Sequence, residues 1–112
     1  MYMKKEINLF GTKYKIKFID NPEPINVDEN GNGDYAYGTA RHTEFEIVIP
    51  THTAIDNKPI PKYDLEKNLC HEITHCILAE GGYLSCNNDE PLVEWIGRCV
   101  YNIFVKQNIF EL

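Results

Sequence analysis

The chain has 112 residues, 43% of them hydrophobic and 25% charged, which is the balance of one globular domain. Eleven Lys and Arg against 17 Asp and Glu leave a formal charge of −6 with no basic cluster, a poor match to the phosphate backbone of nucleic acids. No apolar run approaches the ~18 residues of a membrane span, and the N-terminal residues lack the apolar core of an export signal. The chain therefore reads as a single cytoplasmic domain over residues 1–112.

In chain order, residues 7–10 and 14–19 read as strands around Gly11 and Thr12, the second alternating Tyr14, Ile16 and Phe18 with Lys13, Lys15 and Lys17. Those lysines read as a solvated strand face. Asn30-Gly31-Asn32-Gly33 is a turn signal, because Asn and Gly tolerate positive φ. Strands over 35–37 and 43–49 follow, Pro50 closes the second, and 51–62 with Pro59 and Pro61 is a loop.

Asp64 is a candidate N-cap for a helix carrying Leu65, Leu69, Ile73, Cys76 and Ile77 at helical spacing, stopped by Gly81-Gly82. Asn87-Asn88-Asp89 with Pro91 opens a second helix, whose Leu92, Ile96, Cys99, Val100 and Ile103 form an apolar stripe to about Val105. Trp95 is expected to pack between the helices. Strands first and then two packed helices give an α+β domain with an N-terminal, antiparallel-rich sheet. Cys70, Cys76, Cys86 and Cys99 show no CxxC spacing and read as reduced thiols.

The first helix carries His71-Glu72-Ile73-Thr74-His75. Histidines four apart share one helical face and can bring two imidazole nitrogens to one tetrahedral metal at ~2.0–2.1 Å. Glu72 leaves the helix about 100° away, where a general base for an activated water belongs. A third ligand has to come from elsewhere. Glu90 and Glu94, 15 and 19 positions beyond His75, share a face of the second helix and either can fold back onto the first; Cys86 in the connection is a softer alternative. His42 and His52 lie just before and just after the 43–49 strand as loop histidines. Tyr37, Tyr83 and Tyr101 are candidate electrophiles, and Tyr101 is placed on the face of Glu90, Glu94 and Gly97.

His71-Glu72-x-x-His75 followed by Asp89-Glu90-x-x-x-Glu94-x-x-Gly97 resembles the gluzincin branch of zinc metallopeptidases. The resemblance implies Zn²⁺ held by His71, His75 and Glu90, with Glu94 orienting a histidine or acting as the alternative third ligand. The layout from Gly38 to about Gln107 more closely resembles small phage- or prophage-encoded metallopeptidase-like proteins in the style of the SprT and ImmA/IrrE groups. It implies a zincin-like fold, a peptide or protein substrate, Glu72 as general base and, for a phage protein, the host cytoplasm as its compartment. A zinc-bearing binding or regulatory module without turnover is the alternative, and a metal-free interaction domain a third reading.

Overall fold

A computed structural model describes residues 5–25, 29 and 34–107; the turn expected at Asn30–Gly33 lies outside them. The domain is α+β. Strands β1 (Glu6–Leu9), β2 (Thr12–Ile19), β5 (Thr39–Arg41) and β6 (Glu46–Pro50) form one sheet in the order β1-β2-β6-β5. Between them in sequence, β3 (Glu23–Ile25) and β4 (Asp34–Ala36) make a separate antiparallel pair.

The β1–β2 turn is centred on Phe10 and Gly11, not on Gly11 and Thr12. Both residues take positive φ, 55° and 91°, the pattern of a tight hairpin turn whose twist matches its strands. Asn8 Oδ1 accepts from the Gly11 N–H at 2.8 Å and leaves Phe10 exposed outside the strand. Tyr14 and Ile16 point into the core, while Lys13, Lys15 and Lys17 face solvent.

The sheet is mixed: its outer pairings, β1 with β2 and β5 with β6, are antiparallel as expected, but its central pair, β2 and β6, runs parallel with Ile16 opposite Ile47. A parallel pair needs a long crossover. Here the stretch holding β3, β4 and β5 supplies it, and β5 then turns back antiparallel onto β6. The expected 43–49 strand starts at Glu46, since residues 42–45 form the β5–β6 turn and Phe45 has φ 55°. Pro50 is the last residue of β6 itself.

Helix α1 (Lys62–Glu80) covers the sheet. Leu65 and Cys76 join Leu9, Tyr14, Ile16, Ile47 and Ile49 in one buried cluster, with Leu69, Ile73 and Ile77 packed against it. The helix begins before Asp64: the Pro61 carbonyl accepts from the N–H groups of Asp64 and Leu65, and Asp64 lies in the first turn, where its charge suits the helix dipole. Its end is a Schellman turn. Tyr83 N–H bonds the Leu78 carbonyl and Gly82 N–H that of Ala79, with Gly82 at φ 76°.

A short helix α2 (Leu84–Asn87) leads into α3 (Glu90–Val100), whose N-cap Asp89 accepts from the Leu92 N–H at 3.2 Å. Helix α3 runs back along α1 and continues as a π-helical segment, Tyr101–Lys106. The buried line of α3 is Val93, Gly97 and Tyr101, one helical face at i, i+4, i+8. Leu92, Ile96, Cys99 and Val100 flank it half-buried, and Ile103 is 43% exposed. The stripe is rotated from the expected one because Gly97, which carries no apolar weight, makes the closest approach.

Trp95 sits two residues from both Val93 and Gly97, on the opposite side of the helix. It is 60% exposed instead of packed between the helices. All four cysteines are free thiols. Among the described residues no helix is long and apolar enough to cross a membrane.

Candidate metal centre

The face of α1 turned toward α3 carries His71 and His75 one turn apart, with ring centroids separated by 5.0 Å. Glu90, in the first turn of α3, places its carboxylate between them: Oε2 is 3.1 Å from His71 Nε2 and Oε1 is 3.0 Å from His75 Nε2. One ligand atom from each of the three residues lies within 4.8 Å of the others, so His71, His75 and Glu90 could hold a metal ion. A tetrahedral ion with ~2.0 Å bonds has ligand–ligand edges of about 3.3 Å, close to these nitrogen–oxygen separations.

The opposite ring nitrogens decide which atoms are free. His71 Nδ1 is 2.8 Å from Glu94 Oε2, and His75 Nδ1 is 2.6 Å from Asn87 Oδ1. A carboxylate and an amide oxygen accept hydrogen bonds, so each Nδ1 donates; in the neutral tautomer this leaves Nε2 as the lone-pair nitrogen turned toward Glu90. Lone pairs facing carboxylate oxygens repel unless a cation or an added proton lies between them. Ring nitrogens oriented in this way from behind are what a histidine-bound metal requires.

Glu90 and Glu94 therefore occupy different places. Glu90 meets both Nε2 atoms, while Glu94 backs His71 from the far side. Asn87 is a site residue that the sequence presents only as part of a capping segment. Its signal is slight: an amide residue at the end of the inter-helix connection, delivered to His75 by the single turn of α2.

Glu72 is buried, at 8% exposure, with Oε2 3.9 Å from His71 Nε2. Gly38, just ahead of edge strand β5, lies against it: a Cβ there would stand 2.8 Å from Glu72 Cγ and Oε2. The Ala40 N–H donates to the carboxylate. Burial pushes the Glu72 pKa above the ordinary carboxylate value, and the Glu90 charge adds to this. His71, His75 and the Ala40 hydrogen bond pull the other way, but burial dominates. A carboxyl group raised in this manner is suited to taking and returning a proton.

The remaining candidates are dispersed. His42 is exposed at the rim of a cavity of about 310 Å³ that also reaches Glu72, His75 and Glu90. His52 is tied to Thr51 Oγ1 at 2.8 Å. Tyr37 lines a second cavity beside His71, and its hydroxyl accepts from the Ala54 N–H at 3.3 Å. Tyr83 is exposed at the end of α1, and Tyr101 is buried edge-on against Tyr63 at 5.3 Å. Tyr101 shares the helical face of Glu90, Glu94 and Gly97 as expected, but two turns further along the helix its ring is buried against Tyr63. Cys70 and Cys76 are buried, Cys99 is half-buried on α3, and Cys86 is half-buried in α2, next to Asn87. None of the four belongs to the cluster of possible ligands. Comparison with protein-family models, curated proteins and solved structures found no match to the chain.

Proposed function

We propose that this domain is a zinc-dependent peptidase of minimal zincin type, with His71, His75 and Glu90 as metal ligands and Glu72 as general base. The observation that carries the reading is the convergence of two histidine Nε2 atoms and the Glu90 carboxylate beside the buried Glu72. Zinc is preferred because a His₂Glu donor set with an open position suits it.

A zinc ion held there supplies Lewis-acid activation of a water and of a peptide carbonyl. The chain does the rest. Glu94 and Asn87 hold the two imidazoles so that Nε2 is always the ligating atom. Glu72 accepts the proton of the attacking water and returns it to the departing amine. Gly38 and the Ala40 N–H keep that carboxylate from swinging away.

A zinc-bearing module without turnover is favoured by one observation: Tyr101, the tyrosine on the face of Glu90 and Glu94, is packed edge-on against Tyr63. Two measurements on tag-free protein separate the readings. Elemental analysis is expected to find one zinc per chain, lost in Glu90→Gln and weakened in Glu94→Gln. Hydrolysis of a mixed peptide library by the zinc-loaded protein is expected to vanish in Glu72→Gln with zinc retained. Bound zinc without any cleavage favours the binding module, and no zinc after reconstitution overturns both.

A further inference from the structure

Helices α1 and α3 face each other as two rows with four-residue spacing. Lys67, His71 and His75 run along α1, and Glu90, Glu94 and Arg98 run along α3. The helices are antiparallel, so the rows pair in rungs. His75 meets Glu90 at 3.0 Å and His71 meets Glu94 at 2.8 Å. The next rung sets Lys67 opposite Arg98. Two rungs set an imidazole against a carboxylate, whereas the third sets two cations together.

Lys67 and Arg98 line the same cavity, about 350 Å³ in volume, whose far wall is His71, Glu72 and Glu94. Among the described residues neither cation is ion-paired. Lys67 Nζ lies 4.8 Å over the Tyr63 ring, an aromatic face rather than a carboxylate. The other carboxylates of this cavity are committed: Glu94 to His71, and Glu72 to the Ala40 N–H under Gly38. Asp64, in the first turn of α1, is the remaining acid and stands against two cations. In a chain of net charge −6, two cations that share a cavity beside the candidate ligand cluster without a carboxylate partner need an explanation.

We propose that Lys67 and Arg98 form a carboxylate-binding subsite that selects the substrate of the peptidase proposed above, on which this inference rests. One rung of helix rises about 6 Å, and an extended chain advances ~3.3–3.6 Å per residue. The carboxylate so held belongs to the residue next to the scissile bond or to the one after it, as an acidic side chain or as the C-terminus. The Arg98 fork offers paired N–H donors and Lys67 adds a point charge, so both sources present the same chemistry.

The test uses the zinc-loaded protein and three hydroxamate-capped amino acids: aspartate amide, alanine with a free carboxylate, and asparagine amide. At least one charged probe is expected to bind about tenfold or more tightly than the asparagine amide, because a charge-assisted pair is at stake. Whichever charged probe wins identifies the source of the carboxylate. In Lys67→Met/Arg98→Met the preference disappears while asparagine amide binds as before. Arg98→Glu, an exposed change on its own, is expected to reverse the preference. Equal binding of all three probes, or a preference that survives in the double variant, overturns the subsite and leaves the metal centre standing. Absence of zinc and of any hydroxamate binding overturns the peptidase reading, and the subsite falls with it.

Discussion

Gly97 of α3 lies directly on His71 of α1: a Cβ built on the glycine would stand 3.0 Å from His71 Cα and 3.2 Å from its backbone nitrogen. This contact sets the distance between the helices at the level of the ligand cluster, and so the reach of Glu90 and Glu94. The atoms in the way are backbone and cannot rotate aside. Gly97→Ala is expected to cost about 1–3 kcal/mol of stability, as overpacking does, and to weaken metal binding at the same time. Urea denaturation and metal titration of the variant check both; unchanged metal affinity would mean that α3 does not set the site.

Gly38 and Glu72 stand in a similar relation with a different consequence. Here the obstructed atoms belong to the end of a side chain, 2.8 Å from where an added methyl group would stand. Gly38→Ala is therefore expected to move the Glu72 carboxylate while leaving the fold and the ligands in place. If Glu72 is the base of the proposed peptidase, a shift of about 1 Å costs roughly 10²-fold in rate, and hydrolysis should fall about that much at unchanged zinc content. Paired measurement of zinc stoichiometry and cleavage rate reads the outcome.

The hydrogen bonds behind the two histidines make a third expectation. Asn87→Ala removes the acceptor of His75 Nδ1, and Glu94→Gln replaces the charged acceptor of His71 Nδ1 by an amide. Loss of such outer partners lowers metal affinity by about 10–100-fold. Asn87→Ala should fall in that range and Glu94→Gln should lose less, since its amide oxygen can still accept. Competition with a chelator of known affinity measures both, and an Asn87→Ala protein with wild-type affinity would remove Asn87 from the site.

The parts of this site that are legible in the sequence are those governed by a single helix. The i, i+4 spacing of His71 and His75, the position of Glu72 and the Asp89 cap follow from helical geometry alone. Glu90 and Glu94 can be narrowed to one face but not told apart, because their roles depend on the distance between two helices, and a glycine fixes that distance. Asn87 is invisible for the same reason: its partner is 12 residues away across a Schellman turn. In the sheet, alternation identifies the buried side of β2, but no local pattern reports that β2 and β6 are parallel. Phe45 alternates like a strand residue while its φ of 55° belongs to a turn.

The thiols on α1 make stability pH-dependent on the alkaline side. Burial, with a smaller push from Glu66, raises the Cys70 pKa to about 11; burial, with Glu72 and Glu80, raises Cys76 to about 12. Tyr14 is raised as well, first by burial and then by its hydrogen bond to Glu80. An unfolded chain releases cysteine protons near pH 8.5, whereas the native fold retains them. The native state thus binds more protons than the unfolded state above that pH, and stability must fall as pH rises. The slope is at most about 1.4 kcal/mol per pH unit for each buried thiol. Urea midpoints are expected to be level with respect to these thiols up to about pH 8 and to decline from there toward pH 11. Cys70→Ala/Cys76→Ala should start from lower stability and show a shallower decline. Alkylation at pH 8 checks the same protons chemically: half-buried Cys86 is expected to react with iodoacetamide while Cys70 and Cys76 stay protected until the domain unfolds.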